Sequence, residues 1–90
     1  MAKVRFRLGK LVSTPGALER VSNGEMLRAL GRHAAGDWGN VCSEDAEANE
    51  DAVNERARLL SSYTTGGGVR FWIITEADRS LTTVLLPEEY

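Results

Sequence analysis

The stretch "VRFWIIT", residues 69–75, would place apolar side chains on both faces of a strand, with Phe71 and Ile73 on one side and Trp72 and Ile74 on the other. A strand of this kind belongs in the middle of a sheet, paired on both edges and covered above and below. The neighbouring segments supply the partners. "RLLSSYTT" precedes it across the flexible "GGG" connection, and "LTTVLLP" follows across the loop "EADRS" before Pro87 and the polar tail "EEY" close the pattern. A three-stranded antiparallel meander is therefore expected over the last third of the chain.

Upstream the pattern differs. "KVRFRLG" alternates Val4, Phe6 and Leu8 against Lys3, Arg5 and Arg7, the period of a strand with one buried face. Thr14 and Pro15 then read as N-cap and first helical residue of a short helix to about Val21. Ser22 and Glu25 stand at capping-box spacing, and Met26, Leu27, Leu30 and Ala34 follow at helical intervals until Gly36 ends the helix. A third helix is predicted from Ser43 to about Arg58, with Glu44, Asp45, Glu47, Glu50 and Asp51 early and Arg56 and Arg58 at the end, as the helix dipole favours. Its apolar face is thin: Ala48, Ala52, Val53 and Ala57.

This order predicts an α+β domain: an N-terminal strand, two or three helices, then the meander, with helices on one face of a mostly antiparallel sheet and the first strand at a meander edge. Ninety residues make one domain, 1–90, with a core thin enough for a second copy to complete, so a homodimer is among the expectations. No apolar run approaches the roughly 20 residues of a membrane span, and the basic, alternating start is unlike a secretory signal. A cytoplasmic protein with no membrane partner is expected. Cys42, the only cysteine, excludes an internal disulfide and reads as a buried or half-buried inert thiol.

Charge is unevenly spread. Residues 1–41 carry seven Lys and Arg against three acids, net +4, and residues 42–90 four Arg against ten acids, net −6. The first half suits phosphate or an acidic surface, and the second suits repelling or imitating nucleic acid. Glu44, Glu47, Asp51 and Glu55 recur at three- and four-residue steps, which puts them in one stripe on the third helix. Such a stripe is either solvated or a contact surface for a basic groove.

His33, the only histidine, has the intrinsic pKa for general acid–base work, and Arg79 with Thr82 and Thr83 has the donors to hold a phosphate. Helices followed by such a sheet resemble small metal-free ribonucleases of the RelE-like and barnase-like type, which implies catalysis by His33 and Arg79, assisted by Thr82 and Thr83. In "RHAAGDWGNV" the alternative is a helix end, with Asp37 bonded to the turn, Trp38 folded into the core and Gly39 at positive φ. No metal site and no cofactor are implied: "TTGGG" lacks the Lys-Ser/Thr of a nucleotide-binding loop, and only His33 and Asp37 stand near enough to join the acidic stripe.

Taken together, "FRLGKLVSTPGALE", "GDWGNV" and "FWIITEADRSLTTVLLPEEY" resemble a family of small, largely uncharacterised bacterial proteins of the same approximate length, often encoded on plasmids, integrative elements and phages. The resemblance implies an accessory or anti-defence role, such as inhibition of restriction or CRISPR complexes. The expected function is a non-enzymatic protein–protein interaction with a host protein or nucleoprotein complex. Its contact residues would be Glu44, Glu47, Asp51 and Glu55, with Trp38, Asp78 and Arg79 as further anchors.

Overall fold

The computed structural model describes residues 4–90. It is an α+β fold with a four-stranded mixed sheet: β1 (Lys10–Ser13), α1 (Pro15–Arg20), α2 (Asn23–Ala34), α3 (Ser43–Glu55), β2 (Leu59–Thr64), β3 (Arg70–Thr75), β4 (Leu81–Leu85) and a closing 3₁₀ turn (Pro87–Glu89). The strand order is β1-β4-β3-β2, so the doubly apolar β3 is interior, as its composition requires. β2, β3 and β4 are antiparallel neighbours, whereas β1 runs parallel to β4. The expected meander therefore describes three strands of a larger, mixed sheet.

The first strand lies later than its alternation predicts. Lys3 is outside the described residues, and Val4–Gly9 form no ladder. The alternation is instead one of burial: Phe6 is buried and Leu8 half-buried, while Val4, Arg5 and Arg7 are exposed. Pairing is delayed by a crossing. Gly9 sits at φ +66, and a Cβ there would lie 2.4 Å from the Ser80 carbonyl group. Only beyond it does Lys10 N–H reach Ser80 C=O, at 3.0 Å, and open the ladder.

The helix starts follow local chemistry. Thr14 accepts from Ala17 N–H with Pro15 in the first turn, and Ser22 accepts from Glu25 N–H. α2 ends before Gly36, which is at φ +86. α3 is shorter than expected, because Arg56 turns left-handed at φ 56 and Ala57 N–H reaches back to Ala52 C=O at 3.1 Å. Arg56 and Arg58 therefore lie beyond the helix. Its buried residues are Asn49 and Ala52, with Ala46 and Val53 packed alongside, while Ala48 and Ala57 are exposed.

Two apolar clusters fill the helix–sheet interface. Ala17, Val21, Met26, Ala29 and Leu30 of α1 and α2 meet Tyr63, Phe71, Ile73 and Val84, and Phe6, Trp38, Ala52 and Leu59 form the second, with Leu8 packed against both. On the opposite face Trp72 meets Tyr90 edge-on at 5.8 Å, next to the closing turn.

The outer edge of β2 is occupied by non-strand groups. Asn49 donates to Leu60 C=O at 2.7 Å and accepts from Leu60 N–H at 3.1 Å. Ser62 N–H donates to Trp38 C=O at 3.1 Å, and Asn40 N–H donates to Ser62 C=O at 2.6 Å. This second contact is close enough to demand glycine at 39, where φ is +74 and a Cβ would lie 2.1 Å from Ser62 O. The "GGG" connection is likewise a hydrogen-bonded turn, with Thr65 N–H on Val69 C=O at 2.8 Å and Gly66 N–H on Glu25 at 2.9 Å.

Asn49→Ala removes both bonds to Leu60 and should cost about 2–3 kcal/mol in urea unfolding. Gly39→Ala, which meets both strain and a clash, should cost at least as much; a loss below about 0.5 kcal/mol in either would show that the edge contacts do not hold β2 in place.

Candidate functional site

His33 and Arg79, the two residues of the catalytic expectation, are buried and hydrogen-bonded within the fold. His33, in the last turn of α2, is fully buried; Phe6 and Trp38 meet its ring edge-on, at centroid distances of 5.2 and 5.8 Å. Its nitrogens face two strands, with Nδ1 hydrogen-bonded to Ser61 Oγ of β2 and Nε2 lying 2.9 Å from Thr75 Oγ1 of β3. Thr75 Oγ1 is in turn 2.8 Å from Thr82 Oγ1 of β4, and Thr82 donates to Leu8 C=O at 2.6 Å.

Proton counting along this row fixes every donor. Thr82 spends its hydroxyl proton on Leu8, so it accepts from Thr75. Thr75 has then used its own proton and accepts from Nε2–H. Nδ1 is left as the acceptor for the Ser61 hydroxyl. His33 is therefore the neutral Nε2–H tautomer. Burial, and then the nearby Arg79 cation, lower its pKa from 6.5 to about 4.

Arg79 is also buried, held at φ 62 in the β3–β4 turn. Its guanidinium donates to Ala57 C=O at 2.6 Å, Ala52 C=O at 2.8 Å, Glu76 C=O at 3.2 Å and Ala77 C=O at 3.3 Å, and lies 5.6 Å from the Phe6 ring centre. It caps the C-terminal end of α3, the place expected for Arg56 and Arg58. Thr82 is buried in the hydrogen-bond row, and Thr83, one residue on, points to the other face of the sheet. His33, Arg79 and Thr82 thus share the core, while Thr83 is half-buried on the opposite face, so the four residues of the ribonuclease reading do not converge on one cleft.

The remaining candidates divide between core and surface. Trp38 is buried, stacks on Phe6 at 6.1 Å and donates Nε1–H to Glu50 at 3.0 Å, so it is not a surface anchor. Asp37 is exposed and accepts from Arg32 at 2.8 and 3.2 Å and from Gly39 N–H at 3.3 Å. Its bonds to Arg32 hold its carboxyl below the usual range. Asp37 faces solvent while His33 faces the core, so the two do not converge. Among the described residues no three His, Cys, Asp or Glu gather as a metal site.

Asp78 is exposed and closes the β3–β4 turn by accepting from Ser80 N–H at 3.0 Å. Cys42, expected to be buried, is exposed at the start of α3. Glu44, Glu47, Asp51 and Glu55 are all exposed, and among the described residues none has a salt-bridge partner. The helical spacing sets them opposite the buried Asn49. Among the described residues no helix is long and apolar enough to cross a membrane. Neither the family models, the curated proteins nor the solved structures contain a significant match to this chain.

The unfolded chain binds a proton at His33 that the folded chain refuses, so stability should fall as pH is lowered from about 6.5 through 4, by about 3 kcal/mol in all. As the only histidine, His33 gives a single imidazole signal by NMR. It should remain an Nε2–H tautomer until about pH 4, and titration near 6.5 would contradict the buried row. His33→Gln, which keeps a donor and an acceptor but does not titrate, should flatten the stability profile between pH 6.5 and 4.5.

Proposed function

We propose that this chain is a non-enzymatic, cytoplasmic interaction protein that binds a host protein or nucleoprotein complex through the acidic face of α3. The observation that carries the reading is a contrast. His33, Arg79 and Thr82 are buried and hydrogen-bonded internally, with Thr83 on the opposite face of the sheet, whereas Glu44, Glu47, Asp51 and Glu55 are exposed and unpaired among the described residues.

At about 1.5 Å of rise per residue, the stripe from Glu44 to Glu55 spans roughly 16 Å. A rigid row of negative charge of that length complements a basic groove built to hold phosphates, and steers association at low salt. Arg79 fastens the β3–β4 turn, which carries the exposed Asp78, to the end of α3, and Asp78 is the further acidic anchor in this reading. A groove that receives this face is closed to nucleic acid. That action fits an inhibitor of a host nucleic-acid-targeting complex, in the accessory or anti-defence role of a mobile element.

Reversing both Glu47→Lys and Asp51→Lys should leave stability within about 0.5 kcal/mol, since both are exposed. Capture from host lysate by tagged wild-type protein should survive nuclease treatment, weaken with salt, and be lost in the double variant. Equal capture by the variant, or recovery of RNA alone, would remove α3 as the contact surface.

A further inference from the structure

The two edges of the sheet are treated differently. At β2 two of the three outward-facing residues, Leu60 and Ser62, have their backbone groups occupied by Asn49, Trp38 and Asn40, and only Thr64 at the strand end does not. β1, the opposite edge, has no such cover among the described residues. Lys10 N–H bonds to Ser80 C=O and Thr14 N–H to Val84 C=O, each at 3.0 Å, and the alternation of a parallel ladder turns Val12 the same way. Leu11 and Ser13 therefore point their N–H and C=O groups outward, and among the described residues these groups have no partner.

An apolar groove adjoins this edge. It measures about 440 Å³ and runs between β1, α1 and α2, lined by Leu11, Val12, Leu18, Met26, Leu27 and Leu30. Leu11, Leu18 and Leu27 are 51, 60 and 68% exposed, which is costly for three leucines gathered at one site. Among the described residues no charged side chain lines the groove.

We propose that a second copy of this chain occupies the edge, with the two β1 strands antiparallel about Val12, making one continuous eight-stranded sheet. The sequence suits itself in this register. Leu11 faces Ser13 of the second copy and Ser13 faces its Leu11, so four backbone hydrogen bonds form and every outward group of both strands is satisfied. Registers centred on Leu11 or Ser13 leave some of these groups unpaired. Charge favours the same arrangement, because Lys10 is set against Thr14 and never against its own copy. The two-fold axis then brings the Leu18 and Leu27 surfaces of both copies together above the joined strands, in a self-complementary contact.

Sedimentation equilibrium of the wild-type chain from micromolar to millimolar concentration should give twice the 9.9 kDa chain mass. Leu11→Pro removes an outward N–H without touching the bonds to β4, and Leu27→Glu places a charge in the groove. Each should weaken self-association at least about tenfold with an unchanged circular dichroism spectrum. If Leu11→Pro does not fold, Leu27→Glu decides alone, since its side chain is exposed. Amide exchange at Leu11 and Ser13 should slow as concentration rises. A wild-type monomer throughout the range, or a dimer indifferent to Leu27→Glu, overturns the proposal.

Discussion

A neutral imidazole between helices and sheet is the constraint on which this structure turns. His33 is fully buried and offers one donor and one acceptor, each of which must be met or cost about 1–3 kcal/mol. Ser61 and Thr75 meet them, Thr75 hands the requirement on to Thr82, and Thr82 hands it to the Leu8 carbonyl. One hydrogen-bond row thereby joins α2, three adjacent strands and the N-terminal segment. Apolar packing tolerates small sliding, but a row in which every proton has one destination does not. Its directionality sets the position of α2 over the sheet and holds Phe6 against the ring.

Elsewhere side chains do the work of backbone. Asn49 pairs with Leu60 as a strand would, and Arg79 supplies the donors that the end of α3 lacks. With so few large residues on α3, these polar contacts rather than apolar area locate it against β2 and the β3–β4 turn. The arrangement uses up the groups that a reader of the sequence would assign to chemistry. A lone histidine and an arginine beside threonines look catalytic, and here both are buried and hydrogen-bonded within the fold.

What was legible in the sequence was local. Ser22 with Glu25, Thr14 with Pro15, and Gly36 mark helix ends because caps act within four residues. β3 announced its interior position because both of its faces are apolar. The turn reading of Asp37, Trp38 and Gly39 rested on equally short-range rules and describes the structure. The misplacements share a cause in contacts distant along the chain. β1 begins late because Gly9 crosses Ser80, and α3 stops early where Arg79 receives its end. The exposure of the α3 carboxylates was readable from spacing; the burial of His33 and Arg79 needed partners that no local pattern names.

The pairing of β1 with β4 has a consequence for how the chain is made. β1 bonds only to β4 within the sheet, and the start of α1 is clasped from the far end, where the Glu89 carboxylate accepts from Gly16 N–H at 3.0 Å and from Thr14. During synthesis Lys10–Ser13 must wait for Leu81–Leu85 before they can join the sheet. Such a pairing raises the contact order, which slows folding. During that interval the edge that β4 will cover stands open beside the apolar residues of α1 and α2. The newly made chain is thus most exposed to mispairing just before β4 closes the sheet.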